Sequence, residues 1–144
     1  MPSTMHVGRC LCGAVRYECG EPVSKPALCH CESCRRAAGA HVVAWATVRR
    51  ADYRITQGAP RSFASSPPVI RTLCERCGTQ LTYWHQDAAD FIDVTLASLD
   101  DPSALVPADH LWMEDAAAWD HPGDGLPQWR TSRAAKLPFA RKRS

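Results

Sequence analysis

Short apolar stretches alternate with turn residues over roughly the first hundred positions of the chain. Six of these stretches are rich in Val, Ile, Thr, Trp and Tyr, which favour β-strands. They cover residues 14–19, 41–49, 53–56, 69–74, 80–85 and 91–96. Turn residues separate most of them, at 20–22, 58–60, 66–68 and 101–102. The pattern predicts a mainly β domain with little helix.

Helical signals are few in this sequence. Residues 32–38 predict one short helix, with Gly39 as its C-terminal stop. A second helix is expected around residues 114–119. The longest mostly apolar run, residues 42–48, is far too short to cross a bilayer, so no membrane partner is expected.

The composition is that of one ordinary globular domain. The chain has 144 residues, of which 45% are hydrophobic and 22% charged. Its net charge of +2 hides an uneven distribution: residues 1–76 carry +6, residues 77–129 carry −10 and residues 130–144 carry +6. We expect one folded domain over residues 5–129 and a flexible basic tail over residues 130–144. So short a basic stretch is weak evidence for nucleic-acid binding, which is not expected.

Eight cysteines are the unusual feature of the composition. Residues 1–7 contain no apolar stretch of signal-peptide length, which predicts a cytoplasmic protein whose thiols stay reduced or bind metal. Disulfides are therefore the less favoured interpretation. Seven of the cysteines form three clusters, and Cys19 stands alone on a predicted strand, where a small buried core residue is expected.

Two of the clusters share one form, in which two thiols are followed at once by glycine. They are Cys10-x-Cys12-Gly13 and, about sixty residues later, Cys74-x-x-Cys77-Gly78. The glycine allows a positive φ, so the backbone can curl around the sulfur atoms. Four thiolates make the closed tetrahedral set typical of structural zinc. The spacing predicts a zinc ion that fastens the start of the domain to its middle.

The third cluster has three thiols at the entry of the predicted helix: Cys29, Cys31 and Cys34. Three protein ligands and an open fourth position are the pattern of catalytic zinc. Other interpretations stay open: a redox Cys31-x-x-Cys34 pair, a site closed by His30 or Cys19, or an empty one. Because His30 lies between two ligands, its side chain is expected to point away from the metal they share.

These motifs resemble those of the glutathione-dependent formaldehyde-activating family, which includes centromere protein V. The similarity rests on Gly8-x-Cys10-x-Cys12-Gly13, Cys29-His30-Cys31-x-x-Cys34-x-x-x-x-Gly39 and Cys74-x-x-Cys77-Gly78-Thr79. It continues through Leu99-Asp100-Asp101-Pro102, His110-Leu111-Trp112, Trp119 and Asp124-Gly125-Leu126-Pro127, and so covers residues 8 to about 129.

The resemblance implies a fold and a chemistry. The fold is a β-tent of twisted antiparallel sheets around a structural zinc held by Cys10, Cys12, Cys74 and Cys77. The resemblance also implies a second, catalytic zinc at Cys29, Cys31 and Cys34. The associated activity is that of a carbon–sulfur lyase: the thiolate of glutathione adds to formaldehyde to give S-hydroxymethylglutathione, or the adduct is cleaved in reverse. A small thiol, with glutathione as the candidate, is the implied substrate.

The proton donor for this chemistry stays open. A histidine is the residue type that titrates in the right range, and the candidates are His30, His41 and His85. Each is equally interpretable as a surface or strand histidine without a catalytic role.

The class of function stays open as well. The aromatic residues Trp45, Tyr83 and Trp84 either line a pocket or belong to the core. A zinc-stabilised binding module without catalysis is the main alternative to an enzyme, and a redox or metal-storage protein is a further one. Exposed sheet edges are compatible with a homodimer.

Overall fold

A computed structural model describes residues 4–141, in which ten strands form two twisted β-sheets. The strands are β1 (His6–Arg9), β2 (Arg16–Cys19), β3 (Ala27–Cys29), β4 (Val43–Arg49), β5 (Tyr53–Gln57), β6 (Arg61–Ser66), β7 (Val69–Leu73), β8 (Gln80–His85), β9 (Phe91–Thr95) and β10 (Asp109–Leu111). Within this range one α-helix, α1, spans Glu32–Ala38. No helix in the described residues is long and apolar enough to cross a bilayer.

The smaller sheet has the strand order β1-β2-β5, and the larger has the order β10-β3-β4-β9-β8-β7-β6. All strand pairs are antiparallel except β10 with β3, which is parallel. The prediction of a mainly β fold with little helix is confirmed. Each of the six predicted strand segments contains a strand, and α1 has the predicted bounds and ends at Gly39.

The helix predicted around residues 114–119 is wrong. The chain forms only a 3₁₀ turn at Met113–Asp115, because Ala116 takes an extended conformation with φ −64° and ψ 145°. The sequence pattern also misses four strands, β1, β3, β6 and β10. Three of them have only three or four residues, and β6 is exposed along its whole length, so none shows a clear apolar alternation.

The core lies where the two sheets meet, and Gly8 permits their close approach. A Cβ atom at Gly8 would lie 2.5 Å from the ring of Tyr17 and 2.7 Å from the carbonyl oxygen of Ser98. Gly8 also forms a bridge to Leu99, which links β1 to the segment after β9. Cys19 is fully buried in this core, as the sequence predicts.

The flexible tail predicted from residue 130 onward does not agree with the structure of residues 130–141. Arg133 makes two hydrogen bonds to the buried carboxylate of Asp109, of 2.6 and 2.7 Å. Arg141 donates to the carbonyl oxygens of Ala117 and Asp120. The basic segment is therefore folded against the acidic one that precedes it, because opposite charges meet there. Residues 142–144 lie outside the described residues.

Replacing Arg133 by Met is expected to lower the free energy of unfolding by about 2 kcal/mol, because Asp109 would be left buried without its cation. Burial alone would raise the pKa of Asp109, but the hydrogen bonds and charge of Arg133 hold that pKa below its usual value. The difference from the wild type is therefore fully present above the unfolded pKa of about 4 and is lost as the pH falls through the lower folded pKa. Urea unfolding at several pH values measures it.

Arg130 is the matched control for this experiment. Its ion pair with Glu114 is 3.6 Å long, and both side chains are largely exposed. Arg130→Met should change stability by less than about 0.5 kcal/mol. Equal losses in the two variants would contradict the assignment of a stabilising role to the Arg133–Asp109 pair.

Candidate metal centres and active site

The sulfur atoms of Cys10, Cys12, Cys74 and Cys77 form one cluster, in which all lie within 4.8 Å of one another. Two separations are short, 3.6 Å between Cys10 and Cys12 and 3.8 Å between Cys12 and Cys74. Tetrahedral zinc with bonds of about 2.3 Å places its sulfur ligands roughly 3.8 Å apart. The donor set and the spacing of this four-cysteine cluster therefore fit a zinc ion.

The backbone on each side of the four-cysteine cluster turns at glycine. Gly13 has φ +79° and Gly78 has φ +81°, the left-handed region that the sequence predicts at these positions. Their N–H groups donate to the carbonyl oxygens of Cys10 and Cys74, at 3.1 and 2.8 Å. One turn connects β1 to β2 and the other connects β7 to β8, so the cluster joins the two sheets.

Thr79 prepares this cluster for a cation. Hydrogen bonds from the Thr79 hydroxyl and backbone lower the pKa of Cys77 to about 5. The same hydroxyl oxygen accepts a bond of 3.0 Å from the N–H of Leu11 on the opposite turn. A thiolate is thus favoured at neutral pH, and thiolates are the form that binds metal.

The three-cysteine cluster lies where β3 passes into α1. Cys29 ends the strand, Cys31 is the N-cap of the helix, and Cys34 is in the first turn. Their sulfur atoms also lie within 4.8 Å of one another, and the N–H of Cys34 donates to the sulfur of Cys31 at 3.4 Å. Among residues 4–141 no fourth cysteine, histidine or carboxylate joins them. The cluster can hold a metal with one position open.

Crowding separates the pKa values of these thiols. Hydrogen bonds from Cys29 and Cys34 lower the pKa of Cys31 to about 2, whereas the neighbouring thiols raise the pKa of Cys29. Three thiolates so close together repel one another strongly. A bound dication would remove this repulsion, which is the reason that the donor set fits zinc.

A buried arginine touches the same cluster. Arg71 is 4% exposed, and its Nη2 lies 3.3 Å from the hydroxyl of Ser33 and 3.9 Å from the sulfur of Cys34. Its guanidinium also lies over the ring of Tyr83, 5.0 Å from the centroid. A cation held there offsets part of the negative charge of the thiolates.

A chain of polar side chains supports the turn between β3 and α1 from behind. His30 Nε2 lies 2.8 Å from His110 Nδ1, and His110 Nε2 lies 2.8 Å from an oxygen of Asp124. At the other end, His30 Nδ1 lies 3.0 Å from an oxygen of Asp120. Since both histidines are buried, this row of polar side chains fixes the turn that carries Cys29 and Cys31. His30 thus faces away from the cluster, as the sequence predicts.

A cavity of about 700 Å³ opens beside the three-cysteine cluster. Its walls include Trp45, Thr47, Tyr83, Asp93, Trp112 and Arg133. A smaller cavity of about 250 Å³ adjoins it and shares Thr47, Tyr83 and Asp93. Trp112 has φ +59°, a rare conformation for a bulky residue, and its N–H donates to the carbonyl oxygen of Thr131. The segment after residue 128 thus fixes one wall of the cavity.

Comparison with known proteins identifies the family. The sequence model of the family described as "Glutathione-dependent formaldehyde-activating enzyme" matches residues 5–115. The chain belongs to this family. Among curated proteins, no match was found. A crystal structure of a Rhodobacter sphaeroides protein is similar, with 26% sequence identity and a TM-score of 0.57 over 66% of this chain and 88% of the other.

The match to the formaldehyde-activating family stops before several residues that shape the site. Asp120 and Asp124, which flank the buried histidines, lie after residue 115, as does Arg133 of the cavity wall. In this member of the family, the segment 116–141 supplies contacts behind the three-cysteine cluster and one side of the cavity.

The residues that the sequence singled out are only partly brought together. Trp45 and Tyr83 line the large cavity, whereas Trp84 packs under Arg50, whose guanidinium carbon is 4.0 Å from the ring centroid. His41 stacks against Trp119, with 5.7 Å between the ring centroids.

None of the three histidines proposed as an acid lines the large cavity. His30 belongs to the buried chain, and His85 lines only the smaller cavity. The sequence motifs do not single out Arg71 and Asp93, although both are charged residues in the middle of predicted strands. A charge at such a position signals either a solvated face or a site.

Arg71→Met is expected to weaken zinc binding at the three-cysteine cluster by roughly ten- to a hundredfold, the usual effect of losing a residue that supports metal ligands. The reason is that Met keeps the bulk and removes the charge beside Cys34. Competition with a chromophoric chelator measures the affinity. Arg61→Met, on the neighbouring strand and exposed, is the control, and an equal effect in both variants would contradict the role of Arg71.

Proposed function

We propose that this chain is a zinc-dependent carbon–sulfur lyase that makes or breaks the S-hydroxymethyl adduct of a small thiol. Cys29, Cys31 and Cys34 hold the catalytic zinc in this proposal, and Cys10, Cys12, Cys74 and Cys77 hold the structural one. The observation that carries it is the three-cysteine cluster, which lies open beside a cavity. Family membership supports the reaction class.

The cavity has the size and charge that a small polar thiol requires. About 700 Å³ lies within the range of small-molecule sites. Lys25, Arg36 and Arg133 supply cationic groups along its walls, and Glu32 and Asp115 supply anionic ones. Glutathione carries two carboxylates and one ammonium group, so a wall of mixed charge matches it. We therefore propose glutathione as the first thiol to test.

In this proposal the cysteines hold the metal, and the residues around them orient the ligands and shape the cavity. A zinc ion bound by three thiolates would keep a substrate thiol deprotonated and polarise a carbonyl oxygen. Arg71 offsets the charge of the cluster, and the buried histidine chain fixes the turn between β3 and α1. Trp45 and Trp112 line the same cavity as the three thiols and give it two aromatic walls.

The location and assembly follow from the same reasoning. Free thiols at all eight cysteines support a reducing compartment, and we propose the cytoplasm. The outer edge of β6 is exposed and unpaired in the seven-stranded sheet, which supports the proposal of a homodimer.

Cys31→Ala is expected to lose one of two zinc ions per chain, keep its fold and lose all catalysis. Cys77→Ala should instead unfold the domain, because its cluster joins the two sheets. Metal analysis and circular dichroism measure these outcomes. Cys19→Ala is the control that should keep both ions, since Cys19 lies outside the clusters. If Cys31→Ala unfolded as readily as Cys77→Ala, the three-cysteine cluster would be structural.

Exchange NMR on formaldehyde and glutathione tests the activity itself. The zinc-loaded protein should accelerate formation and cleavage of the adduct over the spontaneous reaction, and Cys31→Ala should not. If the wild type binds glutathione in calorimetry but gives no acceleration, the non-catalytic binding module is the correct function. If it does neither, the proposed lyase function is overturned.

A further inference from the structure

A row of four side chains crosses the larger sheet beside the three-cysteine cluster. Asp93 is opposite Thr47 on β4 and opposite Tyr83 on β8, and Tyr83 is opposite Arg71 on β7. Directly opposed residues share one face of a sheet. The row Thr47–Asp93–Tyr83–Arg71 therefore lies on one face, and its Arg71 end touches Cys34.

Asp93 is within reach of a small adduct bound at the cluster. Asp93 and Arg71 are two strands apart, which corresponds to about 10 Å between their backbones. Tyr83 lies between them in the row, and Asp93 lines both the large cavity and the smaller one next to it. The three thiols line the large cavity as well, so an adduct bonded to a thiol at the cluster would share this cavity with the Asp93 carboxyl.

The surroundings of Asp93 favour a proton on its carboxyl group. Oδ1 accepts a hydrogen bond of 2.5 Å from the Thr47 hydroxyl. No Lys or Arg among residues 4–141 forms an ion pair with Asp93. Burial raises the pKa of this carboxyl, and the bond from Thr47 opposes the shift only in part. A carboxyl with a raised pKa is suited to proton transfer at neutral pH.

The other acidic groups of the large cavity are already engaged. Asp115 accepts the N–H of Glu32 at 3.2 Å, and Glu32 pairs with Arg36 at an exposed position. Tyr83 keeps its proton more firmly than usual, because burial raises its pKa. Asp93, whose pKa is raised by burial and which has no ion pair among the described residues, is therefore the carboxyl best suited to exchange a proton with a substrate.

We propose that Asp93 is the general acid and base of the proposed lyase reaction. When the thiolate sulfur attacks formaldehyde, the new carbon–sulfur bond forms and the carbonyl pair moves to oxygen, which takes the proton of Asp93. The carboxylate then takes up, from solvent, the equivalent of the proton that the substrate thiol released when it became a thiolate, so that the overall reaction balances. In reverse, the carboxylate takes the hydroxyl proton, the carbon–sulfur bond breaks, and formaldehyde and thiolate leave. This assignment rests on the proposed function and adds the residue that balances its proton.

The two directions of the reaction should share one dependence on pH, because the overall reaction of a thiol with formaldehyde takes up or releases no proton below the pKa of the thiol. Cleavage needs the carboxylate, so its rate constant should rise as the pH rises through the pKa of Asp93. Addition needs the protonated carboxyl together with a thiolate, which is the same total number of protons, so its rate constant per total thiol should rise over the same range.

The titratable and charged groups that line the two cavities with Asp93 are Tyr83 and His85 on β8, the three thiols, Glu32 and Arg36 on α1, Lys25 before β3, and Asp115 and Arg133 after β10. Arg71 on β7 lies behind Tyr83, over its ring.

Two variants test the assignment by exchange NMR across pH. Asp93→Asn should lower the protein-dependent rate by about a hundredfold and abolish the dependence of the rate constants on the pKa of residue 93. Thr47→Val removes the hydrogen bond that lowers the pKa of Asp93. The pH dependence of the rate constants for addition and for cleavage should therefore move to higher pH, with most of the rate retained. Asp90→Asn, in the exposed turn before β9, is the control that should change neither.

Zinc content and circular dichroism accompany the kinetics and should be unchanged in all three variants, whereas thermal unfolding and glutathione binding should be unchanged in Asp90→Asn alone, because Thr47 and Asp93 line the cavity. If the wild type is active and Asp93→Asn keeps its rate and pH profile, the assignment of Asp93 is wrong while the proposed function stands. The assignment of Asp93 is also wrong if the pH dependence of the rate constants does not move in Thr47→Val. This second test remains valid even if Asp93→Asn fails to fold. An inactive wild type would overturn the proposed function and this assignment with it.

Discussion

The mutual repulsion of thiolates is the constraint on which the rest of this structure depends. Four sulfur atoms converge at the junction of the two sheets, and three converge at the start of α1. Neither group can ionise fully without a cation. The four-cysteine cluster brings together residues 62 positions apart, and its two turns belong to different sheets. A metal ion bound at this cluster would hold both turns at once, and it would thereby tie the arrangement of the sheets to metal binding.

The uneven charge of the sequence has a structural explanation of the same kind. The basic segment after residue 130 folds back onto the acidic stretch before it, where Arg133 meets Asp109. Burying Asp109 without a cation would be costly, so this contact also positions the residues around it. Arg133 then borders the cavity, and the fold thus uses one ion pair both to close the domain and to shape the site.

Local signals account for what the sequence predicts well. The glycine after each thiol pair fixes the turns at Gly13 and Gly78, and the bounds of α1 follow from Cys31 as N-cap and Gly39 as stop. The sequence also predicts which of the seven clustered cysteines lie together, four in one cluster and three in the other, because their spacing and the glycines that follow them differ between the two clusters.

Long-range register accounts for what the sequence does not predict. The buried chain from Asp120 to Asp124 forms only when β10 lies parallel to β3, which places His110 beside His30. No pattern within either segment carries that information. Likewise, Asp93 borders the cavity only because β9 pairs with β4 and β8 in one register, and a shift by one residue would turn it to the opposite face.

The order of charges along the Thr47–Asp93–Tyr83–Arg71 row follows from the electrostatics of the three-cysteine cluster. Arg71 lies beside Cys34, where a permanent cation lowers the energy of the thiolates. An aspartate in its place would be repelled by the same sulfurs. Asp93 lies on the far side of Tyr83, where burial raises its pKa. Because Tyr83 stands between Asp93 and Arg71, one face of the sheet carries a fixed positive charge and a carboxyl of raised pKa without a salt bridge between them.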